Sequence, residues 1–370
     1  MDALDSVLKI EERLVAKASI ANIPIGGTFE LSPLCNMNCG MCFIRLNIDE
    51  MSHIGRLRTA DEWLDIARQM KNAGTLFVLL TGGEPFLYPE FIKLYKGLKE
   101  LGMIITINTN GSLVTEEIAE VLGQDKPRRV NITLYGASNE TYNKLCHNPI
   151  GYDQTIQGIE LLLEHNIDIK LNGSIVPENA HEVQQLQDIA DHYNLYMKMD
   201  TYMYPSSRER LHSFNHHARL SAKEAAHKSI EIKQRQYDHQ VFQEYRKNIL
   251  DKCHQEEPSQ ETCLNCRAGV SAFWITWYGA MTPCIFMKNP SINVFNEGFD
   301  KSWKYIVEKT KEIHLPDDCI NCSKREVCQV CGASALCETG SYNQKPEYMC
   351  EYIEEMINEL KNMEDNYEED

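Results

Sequence analysis

The sequence predicts an α/β protein: an open barrel of six parallel strands with helices outside it, followed by a smaller Cys-rich α+β domain. Three observations carry this expectation. From Gly27 to Tyr204, short apolar or β-branched runs alternate with amphipathic helical stretches, the repeat of a parallel sheet clad in helices. Six such runs are present, too few for a closed eight-fold barrel and suited to a partial (β/α)6 TIM-like one. The chain also holds 14 Cys, of which Cys35, Cys39, Cys42 and Cys146 precede residue 251 and the rest follow it, where the alternation has stopped.

In chain order, residues 1–26 form a charged, helical lead-in, too short to hold an added peptide-recognition domain. The barrel spans 27–204, with strands at Thr28–Leu31, Leu76–Leu80, Met103–Asn108, Val130–Leu134, Ile167–Val176 and Leu195–Met203. Between them, Thr59-x-x-Glu62 and Asn179-x-x-Glu182 read as capping boxes. Tyr152–Asn166 places Ile156, Ile159, Leu162 and Leu163 on one helical face. Residues 205–262 are a polar bridge with helical periodicity over Ser221–Lys233, and its His212, His216 and His217 read as a solvated helix or loop. Residues 263–350 form the small domain, with a β-hairpin over Ser271–Phe286 turning near Tyr278-Gly279. A last helix runs from about Pro346 to Met363, and 351–370 ends in an acidic tail.

Composition narrows the function. The 370 residues carry 37 Lys+Arg against 54 Asp+Glu, a formal charge of −17, which argues against a nucleic-acid partner because phosphates need a basic footprint. No apolar run reaches the roughly 20 residues of a membrane span, and the N-terminus lacks signal-peptide character. A cytoplasmic chain meets a reducing environment, so clustered Cys point to metal or cluster ligation, not disulfides.

Cys35, Cys39 and Cys42 have the spacing C-x3-C-x2-C just after the first strand. Three thiolates on a short loop can hold three irons of a cubane, whose clusters otherwise take four Cys, and leave one corner for substrate or cofactor. A zinc loop completed by a distant residue is the alternative. Here the sequence resembles the radical S-adenosylmethionine (SAM) enzymes. Phe43 is similar to an aromatic that peptide-modifying members carry after the third Cys, whereas Met41 stands where the wider family often has one. Thr81-Gly82-Gly83-Glu84-Pro85 resembles the GGEP motif, which in the family takes the methionine amino group of SAM. Asn108-Thr109-Asn110-Gly111 resembles its TNG segment, and Thr133 lies where relatives often carry a Ser toward the ribose or carboxylate. The resemblance thus implies that Phe43, Gly82, Gly83, Glu84, Pro85, Asn108, Asn110 and Thr133 bind the cofactor. Arg208 and Arg210 suit a carboxylate partner or the surface.

The C-terminal half resembles the SPASM extension of such enzymes, from Cys266 and Gly279-x4-Cys284 through Cys319, Cys322 and Cys328. The resemblance implies two auxiliary clusters, one on Cys263, Cys266, Cys284 and Cys331 and one on Cys319, Cys322, Cys328 and Cys350. The two-residue gap between Cys328 and Cys331 departs from the usual three, leaving Cys331 and Cys337 as alternatives. A pair of zinc ribbons would also satisfy the C-x2-C pairs. Cys146, Cys253 and Cys337 remain unassigned; Cys146 is either a buried structural residue or a thiol that exchanges a hydrogen atom with a radical.

What the resemblance implies is an enzyme with three [4Fe–4S] clusters and SAM, reduced by a flavodoxin- or ferredoxin-like donor. Its substrate would be a ribosomally made peptide, crosslinked through a thioether or carbon–carbon bond. Epimerisation and sulfatase maturation to formylglycine are alternatives; Ile285 stands where the latter class often has an Asp. A zinc-stabilised peptide-binding scaffold is the non-enzymatic one.

Overall fold

The computed structural model describes residues 3–205, 208, 210, 218–253, 264 and 266–363. His212, His216, His217 and Cys263 lie outside the described residues.

Six strands are parallel: β1 (Gly26–Glu30), β2 (Phe77–Thr81), β3 (Ile104–Thr109), β4 (Arg129–Thr133), β5 (Ile169–Ser174) and β6 (Met197–Asp200). They stand in the order 6-5-4-3-2-1, as successive right-handed βα units require. Residue alternation explains their two faces. On β3, Ile105 and Ile107 are fully buried under the helices, while Ile104, Thr106 and Asn108 are half-buried on the other face. That second face, polar on β3 to β5, is the lumen.

The sheet does not end at six strands. β7 (Ala272–Ile275) adds in parallel to β1, and β8 (Ala280–Thr282) and β9 (Ile292–Asn293) follow antiparallel, making one nine-stranded sheet. Gly27 permits this junction, since a Cβ there would lie 2.4 Å from the Phe273 ring. The β7–β8 turn uses Gly279 at φ +100. The hairpin of the Cys-rich region therefore shares backbone hydrogen bonds with the barrel.

The helix Ala60–Asn72 shows how the outer layer is specified. Thr59 and Glu62 form a reciprocal capping box, and Trp63, Ile66, Ala67 and Met70 face the sheet. The second expected box is not one. Asn179 instead accepts from Val176 N and donates to the carbonyls of Tyr135 and Ser174. Glu182 reaches back to Ala137 N, Ser138 and Thr141. Buried loop donors outcompeted the local cap.

Two helices of the bridge, Ala222–Gln236 and His239–Lys252, pack through Ala226, Ile230 and Phe242 on Ile353, Met356 and Leu360 of the helix Glu347–Asn362. Among the described residues no helix is long and apolar enough to cross a membrane.

Candidate functional site

The loop after β1 is built against the turn after β2. Leu31 N donates to Thr81 O (2.8 Å), Gly83 N to Ser32 O (2.7 Å) and Glu84 N to Leu34 O (2.9 Å). This close backbone approach is why both glycines are needed: a Cβ on Gly82 or Gly83 would sit 2.5 Å from Ser32 O or 2.4 Å from Leu34 O. Further on, Asn38 N and Gly40 N donate to Cys146 O and Leu145 O, so the end of the helix Asn139–Cys146 carries the middle of the Cys loop.

The sulfurs already face hydrogen-bond donors. Met37 N (3.4 Å) and Asn110 Nδ2 (3.7 Å) point at Cys35 Sγ, and Arg45 N (3.4 Å) at Cys42 Sγ. Burial pushes the Cys35 and Cys42 thiols up. The Cys39 thiol is held well above its usual range, first by a hydrogen bond with Cys146 and then by burial, against an opposing contribution from the Tyr135 hydroxyl. Cys146 is fully buried beside Cys39. Nothing in its sequence spacing signalled that contact.

Glu84 is fully buried, and burial pushes its carboxyl up to about 7. Thr109 Oγ1 (2.7 Å), Asn110 N (2.8 Å) and Phe86 N (3.1 Å) all donate to it. The side chain thus ties the β2 turn to the end of β3, and with Thr109 and Phe86 N on Oε1 and Asn110 N alone on Oε2 it keeps one acceptor site for a further donor such as an ammonium group. Pro85 is buried at the start of the following short turn. Replacing Glu84 with Gln turns one acceptor into a donor facing fixed N–H groups. We expect a loss of about 1–3 kcal/mol, read from urea unfolding.

The other cofactor positions divide. Asn110 bonds Asn36 and Cys35, joining the Cys loop. Asn108 lies on the lumen face and accepts from Asn131 Nδ2 at 2.7 Å, while Thr133 lies farther along β4 on the same face. A cavity of about 540 Å³ opens by the opposite, N-terminal strand ends, with Thr28, Thr106, Asn108 and Asn131 in its wall.

Arg208 and Glu30 form a buried bidentate pair at 2.7 and 3.0 Å, 3% and 0% exposed, and Trp274 Nε1 also donates to Glu30 at 2.8 Å. Removing one partner of such a pair strands the other charge in a dry site. Arg208→Ala should cost about 3–5 kcal/mol in chemical denaturation.

The C-terminal Cys gather into two groups. Burial pushes Cys284 up to about 12, with Cys331, Cys266 and Cys337 close enough to add to the rise, and Cys284 and Cys331 pack against the same apolar cluster. Burial likewise pushes Cys319 up to about 11, followed by Cys350, Cys328 and Cys322. Cys337 donates to Phe286 O at 3.8 Å, and Cys253 sits apart, donating to Ile249 O. Aromatic rings span from the first set to these groups. Phe43 lies 4.9 Å from Phe286, which stacks at 4.2 Å on Tyr204; Tyr204 meets Tyr202 at 4.6 Å, and Tyr202 meets Tyr348 at 5.6 Å.

The donor sets fit iron–sulfur cubanes. Each is all sulfur, the choice of soft metals and Fe–S clusters. Among the described residues no three Cys, His, Asp or Glu side chains are placed to hold a single metal ion. Thiolates on the separate corners of a cubane need not converge on one point.

Residues 29–190 match the family model described as the radical SAM superfamily. Residues 29–190 are a radical SAM domain. The whole chain is 24% identical over 352 residues to the AdoMet-dependent heme synthase of Methanosarcina barkeri, covering 89% of this chain and 97% of that one. It is 23% identical over 311 residues to the subtilosin biosynthesis protein AlbA of Bacillus subtilis, covering 82% of this chain and 64% of AlbA. In fold it is similar to Streptococcus suis SuiB bound to the precursor peptide SuiA, with a TM-score of 0.68, 20% identity and 95% and 82% of the two chains covered. It is also similar to anSMEcpe with bound AdoMet, with a TM-score of 0.68, 18% identity and 92% and 98% covered.

Proposed function

We propose that this enzyme modifies a peptide or protein side chain, forming a thioether or carbon–carbon crosslink, with SAM and three [4Fe–4S] clusters. When bound, the first cluster and SAM would supply radical hydrogen-atom abstraction at an unactivated carbon. Cys35, Cys39 and Cys42 would hold that cluster. The Gly82-Gly83 turn, Asn110 and Thr133 would orient SAM at the strand ends, with Glu84 acting by fixing the turn.

The observation that carries this reading is the pair of C-terminal Cys groups, joined by Phe286 and Tyr204 to Phe43 beside the first set. Cys263, Cys266 and Cys284 would hold the second cluster, completed by Cys331 or Cys337. Cys319, Cys322, Cys328 and Cys350 would hold the third cluster. Electrons would come from a flavodoxin- or ferredoxin-like protein. Relatives named for peptide work support the substrate class, namely AlbA in subtilosin biosynthesis and SuiB with its precursor peptide. Ile285 beside Cys284 disfavours formylglycine formation.

The near-complete alignment with a heme synthase favours a second reading, in which the substrate is a tetrapyrrole side chain. Anoxic incubation with SAM and a reductant separates them. A neighbouring short peptide that loses two hydrogens by mass spectrometry supports the crosslink. Solvent deuterium uptake at constant heavy-atom formula means epimerisation, and a modified tetrapyrrole with an untouched peptide overturns the peptide reading.

A further inference from the structure

We infer that Arg210 is a positioning residue for the first Cys set, ordering its loop and placing a fixed positive charge beside the cluster. This rests on the proposal that Cys35, Cys39 and Cys42 hold that cluster.

Arg208, two residues earlier, is anchored on Glu30, the last residue of β1 and five positions before Cys35. That anchor brings Arg210 over the loop. Its Nη1 donates to Cys39 O (3.3 Å) and Cys42 O (3.1 Å), and its Nη2 to Asn38 Oδ1 (2.5 Å). Two of the three acceptors are carbonyls of proposed ligands. Cys42 N also donates to Cys39 O at 3.1 Å, so the guanidinium braces a turn that is already closed. A planar fork with five donors can span three acceptors; an ammonium, a compact point charge, holds them less well.

The charge has a second consequence. The guanidinium sits on the carbonyls of both Cys39 and Cys42, so its positive charge is held beside the two residues that would ligate the cluster. A cluster held by these sulfurs gains one negative charge on reduction, and a neighbouring cation stabilises that state. Arg210 therefore raises the potential of the first cluster and makes it easier to reduce. The two roles separate by substitution: Lys keeps the charge and loses the fork, whereas Gln loses both.

The test uses full-length, anoxically reconstituted wild type, Arg210→Lys and Arg210→Gln. Potentiometric titration followed by EPR, with and without SAM, isolates the SAM-responsive cluster. Arg210→Gln should lower its midpoint by about 59 mV, tenfold in the reduction equilibrium of a one-electron couple, and Lys should recover most of that shift. An unchanged midpoint in Arg210→Gln overturns the electrostatic role. Amide hydrogen exchange on the cluster-free protein reads the loop without any cluster. Residues 38–42 should exchange at least about tenfold faster in Arg210→Gln, with residues 103–109 unchanged. Equal exchange in wild type and Arg210→Gln overturns the ordering role. Wild type lacking any SAM-responsive cluster would sink the proposed function instead, and the exchange comparison would still decide the role of Arg210.

Discussion

Cys39→Ala protein should release no 5′-deoxyadenosine or methionine above the enzyme-free background, and should lose about four iron atoms per chain. Cys39 is the middle residue of the triplet, and the thiol in contact with it belongs to Cys146 on another element. Cys146 lies beside it but is fully buried on a helix whose last carbonyls already hold Asn38 N and Gly40 N. The loop itself should persist, because Leu31, Gly83 and Glu84 fix it through backbone hydrogen bonds that the substitution does not touch. A Cys39→Ala protein with wild-type circular dichroism, less iron and no SAM cleavage is the expected outcome. Retained cleavage would show that the triplet is not the reducing site.

Cys328→Ala should behave differently. Its group, with Cys319, Cys322 and Cys350, is carried by elements remote from the Cys35–Cys42 loop in sequence. Iron should again fall by about four per chain, yet SAM cleavage should continue without modified product. That contrast would assign separate tasks, with the triplet starting the radical chemistry and the C-terminal groups serving the substrate or its electron. Product formation at the wild-type rate, measured by mass spectrometry against released 5′-deoxyadenosine, would remove the C-terminal set from the reaction.

Much of the barrel was legible because its signals are local. The six parallel strands fall on the six apolar runs, with ends shifted by a few residues, and the Thr59–Glu62 box is where its spacing places it. The membership of the two C-terminal Cys groups came from the family resemblance, since their spacing alone also suits zinc ribbons. The features that escaped depend on residues distant in sequence. Pairing of β7 with β1 brings Trp274 to Glu30 across most of the chain, and no window of residues encodes that. Arg210 over the Cys loop, Cys146 against Cys39 and the three donors on Glu84 have the same origin. Asn179 shows the converse: the spacing of a capping box is present, but no box forms because its side chain is taken by buried partners offering more hydrogen bonds.

The most direct measurement is EPR with nitrogen hyperfine detection on the reduced, anoxic protein before and after addition of SAM labelled with ¹⁵N in its amino group. A changed signal that couples to that nitrogen means SAM chelates an iron the polypeptide leaves free. An unaltered spectrum, with protein-derived coupling at all four irons of the Cys35–Cys39–Cys42 cluster, would contradict the account at its base.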